Sequence, residues 1–261
     1  MRSLSTGATG MMAQQLNVEV ISNNIANMST TAFKRQRAEF QDLLYQNMRR
    51  PGSSSSDANT IVPSGIQIGV GVRTAGVYRI HEQGNLTTTG NTYDLAISGK
   101  GYFQITLPSG ETAYTRAGSF QVNAQGQIVT VDGYLLNPAI TVPQGSLSVS
   151  IDATGIVEAR IAGQANAQQL GQIQLATFIN EAGLEATGDN LFLETAASGQ
   201  PTVGNPNAVG FGTLRQGYVE TSNVNPVQEI TNLITAQRAY EMNSKTITAS
   251  DEMLQTATRL R

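Results

Sequence analysis

Cysteine and tryptophan are both absent from this chain of 261 residues, and histidine occurs once. Without cysteine there is no disulfide, no thiol nucleophile and no thiolate metal site. The absence also suits a protein that passes unfolded through an export route. A lone His81 removes paired-histidine metal sites, and its place beside Glu82 in a turn-rich stretch reads as structural. Charge is scarce: Asp, Glu, Lys and Arg make up 13%, against roughly 25% in a typical soluble domain. No run approaches the ~20 apolar residues that a membrane span requires. Met1–Asn24 also lacks the apolar stretch of a cleavable secretory signal.

The net charge of −3 and a pI near 5.2 argue against a nucleic-acid partner, because no basic stripe is present to neutralise phosphates. The small basic clusters Lys34-Arg35 with Arg37, and Arg49-Arg50, read as solvated faces. Gly, Ser, Thr, Asn and Gln take the place of the missing charges. A surface destined to be covered by neighbouring subunits has little use for charge, since burying ions is costly and burying partnered amides is not. A polar, Gly-rich β-protein is the plainer alternative.

What is present is periodicity at the two ends. Leu4, Met11, Val18 and Ile25 repeat every seven residues, and so do Leu233, Tyr240, Ile247 and Leu254. Such spacing keeps one residue per heptad on the same face of a slightly underwound helix, as in a coiled-coil seam. The first helix is predicted over about residues 3–28, with a short second helical piece over about Lys34–Tyr45 that has Phe33, Phe40, Leu43 and Leu44 as its apolar contacts. The final helix has a well-marked start: Asn225 as N-cap, Pro226 at the first helical position and Gln228 placed to complete a capping box. Arg259 and Arg261 suit its negative end.

Between the helices lies a chain of short alternating runs and turns. Ile66–Val72, Tyr102–Leu107, Ile128–Val131, Leu147–Ile151, Ile156–Ile161, Ile173–Ile179 and Leu191–Glu194 are predicted strands. Asp132-Gly133 is a hairpin signal, since glycine accepts the positive φ that such a turn demands. The fold class is therefore α+β, with long N- and C-terminal helices forming a coiled-coil-like domain and a central, mainly antiparallel β-domain. Residues 1–30 with 225–261 form the helical domain, 31–75 a connecting segment with an insert at about 46–66, and 76–224 the outer β-domain. The insert is flexible in composition, with Arg49, Pro51, Ser53, Ser56 and Pro63 among its residues.

One helix cannot hold itself. Burying its four seam residues contributes roughly 6–12 kcal/mol, whereas ordering its backbone costs about 1–2 kcal/mol per residue before helical hydrogen bonds offset part of it. Both ends are thus expected to be disordered in the monomer and helical once assembled.

Catalysis finds little support. Gly69-Val70-Gly71 misses the dinucleotide spacing and Gly99-Lys100-Gly101 lacks the rest of a phosphate loop. The acidic pairs Glu39/Asp42 and Asp251/Glu252 read as solvated helix faces or subunit contacts. No catalytic residue, cofactor or metal site is expected. Asn23, Asn24 and Asn27 stand out, because asparagine is a poor helix residue. Either their amides bond across helices and fix the register, or the helix simply frays there.

These segments carry a resemblance. Ser22-Asn23-Asn24-Ile25-Ala26-Asn27, with Thr31-Ala32-Phe33-Lys34, resembles the N-terminal signature of the bacterial flagellar axial proteins, the rod, hook and hook-associated family. Glu220-Thr221-Ser222-Asn223-Val224-Asn225, Gln237-Arg238-Ala239-Tyr240-Glu241 and Asp251-Glu252-Met253-Leu254 are similar to its C-terminal signature. Asp94–Phe103 and Tyr114–Phe120 resemble its shared β-domain. Ala32 departs from the pattern, since a glycine often precedes the phenylalanine. Length and the insert look most like the distal-rod branch.

The resemblance implies a structural subunit of a straight, rigid, hollow drive shaft that encloses an export channel and transmits torque to the hook. The insert would straighten that shaft. It implies as partners further copies of the chain, proximal rod proteins, the hook protein, the P-ring and L-ring proteins, a rod cap or muramidase and the flagellar type III export apparatus. The implied location is the basal body within the periplasm, without membrane insertion. A hook or proximal rod subunit is the near alternative. A glycan-binding or glycan-cleaving β-domain and a cytoplasmic coiled-coil scaffold are the rivals from other classes.

Overall fold

A computed structural model of the chain describes residues 2–49, 51, 64–163 and 166–259. Ser53, Ser56 and Pro63 of the insert, and Arg261, lie outside them. The fold is α+β: an N-terminal helix α1 (Arg2–Ala26), a central antiparallel β-domain and a C-terminal helix α2 (Pro226–Arg259). The chain forms two compact units. One is built from Met1–Ala26, Gln36–Tyr78 and Asn225–Arg261, the other from Asn27–Arg35 and Arg79–Val224.

In the helical unit α1 and α2 pair in opposite directions, with Gly7 against Ile247, Gly10 against Asn243 and Asn24 against Glu229. The glycines permit this approach. A Cβ on Gly7 would stand 2.9 Å from Ile247 Cγ1, and one on Gly10 2.9 Å from Asn243 Nδ2. The buried residues of α1 are Gly7, Ala13, Val20, Ile21 and Asn24, and those of α2 are Glu229, Ala236 and Ser250. Together with half-buried Asn243, the α2 set forms its own seven-spaced line. Small and polar residues therefore meet where the helices approach most closely at Gly7 and Gly10, and Val20 and Ile21 are the large apolar residues buried on α1.

The start of α2 follows local chemistry. Asn225 Oδ1 accepts hydrogen bonds from the backbone N–H groups of Val227 (3.1 Å) and Gln228 (3.3 Å). The Gln228 amide does not complete a capping box; it donates to Asn232 Oδ1 at 3.1 Å. Glu229 in the first turn and Arg259 in the last both complement the helix dipole.

The helical piece predicted over Lys34–Tyr45 is extended instead. It forms β1 (Gln36–Asp42) and leads into β2 (Tyr45–Arg49). β1 pairs with β4 (Val72–Arg79), and β2 pairs antiparallel with β3 (Ile66–Gly69), matching Tyr45 with Gly69 and Gln46 with Ile68. Exposure in β1 alternates with a period of two, so Ala38 and Phe40 share a face, and Glu39 and Asp42 are strand residues rather than helix ones. The cause lies outside the segment. Asn24 takes both backbone polar groups of Gln36, at 2.8 Å each, and β4 supplies the ladder.

The β-rich unit is organised around the strand Tyr102–Thr106, buried along nearly its whole length. It pairs antiparallel with Thr112–Thr115 on one side and with Leu135–Asn137 and Leu175–Thr177 on the other. Alternate side chains serve two cores. Phe103 and Ile105 join Leu95, Ile97, Phe120 and Leu136, whereas Tyr102 joins Tyr114, Phe178 and Phe192. Phe103 and Phe120 meet edge to face at 5.1 Å. Asp132-Gly133 closes the expected hairpin: Gly133 has φ +86°, and Thr130 N donates to Tyr134 O at 2.9 Å. A separate three-stranded antiparallel sheet joins Ser146–Ile151, Ile156–Ile161 and Gln168–Gln172.

Candidate functional site

Three of the signature segments converge on one carboxylate inside the β-rich unit. Glu220, with an exposure of 0%, receives Lys34 Nζ on Oε1 at 2.5 Å and Arg116 on Oε2 at 2.9 and 3.0 Å. The Gly84 N–H donates to Oε1 at 2.9 Å. The cations are satisfied elsewhere as well: Lys34 by Glu82 O (2.7 Å), Arg116 by Gly99 O (2.8 Å) and Gly101 O (2.7 Å). Lys34 is therefore no solvated basic residue. Burial pushes its pKa down, and the attraction of Glu220 works against that shift.

The same neighbourhood binds the ends of the unit together. Ala32 N donates to Glu220 O at 2.8 Å from a left-handed conformation, φ +57°, that glycine adopts freely. Asn223 Oδ1 accepts from Arg35 N at 2.7 Å, and its amide donates to Ile80 O (2.8 Å) and Glu82 O (3.1 Å). Lys34 and Glu220 belong to the two terminal signatures and Arg116 to that of the β-domain; by residue type alone Lys34 reads as solvated and the other two carry no assigned role. Arg116 stands just past the end of the strand Thr112–Thr115, and nothing local to it signals burial.

His81 is accounted for by packing. Its Nδ1 shares a hydrogen bond with Tyr102 Oη at 2.8 Å, and its ring meets Phe192 edge to face. Burial, then the positive charges of Lys34, Arg79 and Arg116, lower its pKa to about 4. Burial first of all raises that of Tyr102. Among the described residues, no group of three His, Asp or Glu side chains could hold a metal ion, and no helix is long and apolar enough to cross a membrane. A polar cleft of about 320 Å³ lies between Thr30-Thr31, Ser119, Asp132 and Asp189-Asn190.

The seam residues occupy a different kind of place. Leu4, Met11, Val18, Ile25, Leu233, Ile247 and Leu254 are half-buried, and Tyr240 is 42% exposed. Only Ile247 abuts a glycine of the opposite helix. Val18 and Tyr240 instead line an open groove of about 540 Å³ with Gln15, Glu19, Gln237 and Glu241. Met12, Val227, Ile230, Ile234, Met242 and Met253 are exposed on the same two helices.

Of the signature residues, Asn24 is buried and its amide donates to Glu229 Oε2 across the helices at 3.2 Å. Asn23 is exposed, and Asn27 Oδ1 accepts from Thr30 Oγ1 at 3.1 Å in the turn after α1. Phe33 is half-buried, whereas Gln237, Arg238, Arg49 and Pro51 are exposed. The paired strands β2 and β3 leave Tyr45, Met48, Ile66 and Ile68 open, as is Leu44 beside them.

Similarity to known proteins covers all of these parts. Residues 4–34 match the family described as flagella basal body rod protein, residues 96–159 the flagellar hook protein FlgE/F/G D1 domain, and residues 215–260 the flagellar basal body rod FlgEFG protein C-terminal. The flagellar basal-body rod protein FlgG of Caulobacter vibrioides is 63% identical over 261 residues, all of both chains. That of Agrobacterium fabrum is 56% identical over 97% of each chain, and that of Bacillus subtilis 41% identical over 100% of this chain and 99% of its own. On this full-length similarity, the chain belongs to the FlgG-type flagellar basal-body rod proteins, structural components of the bacterial flagellum.

Proposed function

We propose that the chain is the building subunit of the distal rod, polymerising into a straight, hollow drive shaft that carries torque from motor to hook and encloses the export channel. Residues 1–30 with 225–261 act as the assembly domain, 76–224 face outward, and 31–75 brace neighbouring subunits. The seam residues Leu4, Met11, Val18, Ile25, Leu233, Tyr240, Ile247 and Leu254 pack in a coiled-coil manner against copies of themselves. The role is structural throughout. Its place is the periplasmic part of the basal body, reached through the flagellar type III apparatus. Partners are proximal rod proteins, the hook protein, the P-ring and L-ring proteins and the rod cap.

The observation that carries this reading is the open apolar side of α1 and α2, in a chain whose full length matches rod proteins. At about 25 cal/mol per Å² of apolar surface removed from water, covering Val227, Ile230, Ile234 and Tyr240 with neighbouring helices supplies what a single helix pair lacks. Electron microscopy of purified protein allowed to polymerise tests it, with straight hollow rods as the expected product. Curved or solid fibres would speak for another member of the family or another class. Deleting residues 49–63 separates the distal reading from a hook or proximal one: the rods are expected to lose straightness.

A further inference from the structure

The strands β2 and β3 are tied to α1 at a specific joint. Gly71 has φ +130°, a conformation suited to glycine alone, and a Cβ there would be driven into Thr9 Oγ1. Thr9 Oγ1 donates to Thr6 O at 3.0 Å and accepts from Val72 N at 3.4 Å. Leu43 N donates to Gly71 O at 2.9 Å, which closes the root of the β2–β3 pair directly over this contact. Two further ties flank it. Asn24 holds Gln36 at the start of β1, and Arg2 Nη1 reaches Met48 Sδ at 3.5 Å on β2. Asn24, Thr9 and Arg2 span about 33 Å of helix at 1.5 Å per residue.

An isolated two-stranded hairpin is marginal in water. β2 is exposed along its whole length and β3 along most of its own, so the direction in which the pair leaves the unit is set by its root. We propose that Gly71 and Thr9 form a keyed joint that fixes the β2–β3 pair on α1, making Gly71 a positioning residue for rod straightness. This rests on the rod-subunit reading above. Side chains at residue 71 act twice: they strain the backbone and they push the root away from the helix. Thr9→Ala acts once, removing the hydroxyl that receives the Val72 N–H and leaving the helix intact.

The chain lacks cysteine, so spin labels placed at the exposed positions Ser5→Cys and Gln46→Cys report the joint without background and keep the Arg2–Met48 contact. Distances are measured by pulsed electron paramagnetic resonance on the full chain, as monomer and as polymer with labelled chains diluted among unlabelled ones. A single narrow distance peak is expected in the polymer. Gly71→Ala is expected to lose that peak and to give curved or irregular rods, and adding Thr9→Ala to Gly71→Ala to recover part of both. Should Gly71→Ala fail to fold by circular dichroism, Thr9→Ala alone replaces it, with broadening as the expected result. An unchanged peak overturns the joint, and a lost peak in rods that stay straight overturns its positioning role. If the unsubstituted chain forms no rod, the rod-subunit reading fails instead, and the monomer distances still decide whether the joint exists.

Discussion

The two units of this chain use apolar residues in opposite ways. The β-rich unit encloses a large apolar core: Leu95, Ile97, Phe103, Ile105 and Leu136 have no exposure, and even Glu220 is enclosed with its cations, although Leu147 and Ile179 stand open. The helical unit buries few residues on its two helices, most of them small or polar with Val20 and Ile21 as the large exceptions, and leaves Ile230, Ile234, several methionines and Tyr240 open. The first arrangement is that of a finished object. The second is that of a part, because apolar surface left facing water is stabilising only after something covers it. Low overall charge fits this division, since the open helix faces would otherwise need to be made soluble one chain at a time.

The contrast can be broken most severely at Glu220. Glu220→Gln leaves Lys34 and Arg116 buried without their counter-charge, and the β-rich unit is expected to lose about 3–5 kcal/mol in urea unfolding. Acid acts next through His81. Its folded-state pKa of about 4 lies below the ordinary 6.5, so the unfolded chain takes up the proton first as pH falls. Stability is then fully present above pH 6.5 and is lost down to about pH 4, by an amount on the order of 3 kcal/mol, with no further loss below. Unfolding curves across that range measure it, and His81→Gln is expected to flatten the dependence.

In the helical unit the effects are smaller and depend on neighbours. Asn24→Ala removes three hydrogen bonds, to Gln36 N, Gln36 O and Glu229. It is expected to cost about 1–3 kcal/mol in the polymer, read as a lower dissociation temperature. Tyr240→Ala, at an exposed position, is expected to change monomer stability by no more than about 0.5 kcal/mol while raising the protein concentration needed for polymerisation. Amide exchange sharpens the same comparison. Residues 95–136 are expected to exchange slowly in the monomer and Leu16–Ile25 quickly, the latter slowing on assembly; slow monomer exchange at Leu16–Ile25 would count against the division.

How far these features could be read from residues alone follows from the range of the forces behind them. The cap at Asn225 and the turn at Asp132-Gly133 were legible because each is set by contacts within four residues. β1 was misread as helix: Phe40, Leu43 and Leu44 fit a helical spacing, and the extended state is imposed by Asn24 and β4 from outside. The inner line of α2, Glu229, Ala236, Asn243 and Ser250, carries no apolar signal, so periodicity revealed only the flanking seam. Glu220 was invisible as a hub, since its partners stand 104 and 186 residues away along the chain.

That last separation has a consequence in time. Chains are made from the N-terminus at about 5–20 residues per second, so Glu220 follows Arg116 by about 5–20 s and Lys34 by about 9–37 s. Until it arrives, enclosing two cations would be costly, and the unit that needs them enclosed stays open. A unit whose keystone is laid so late stays open for most of the chain's synthesis and closes only once Glu220 has been made.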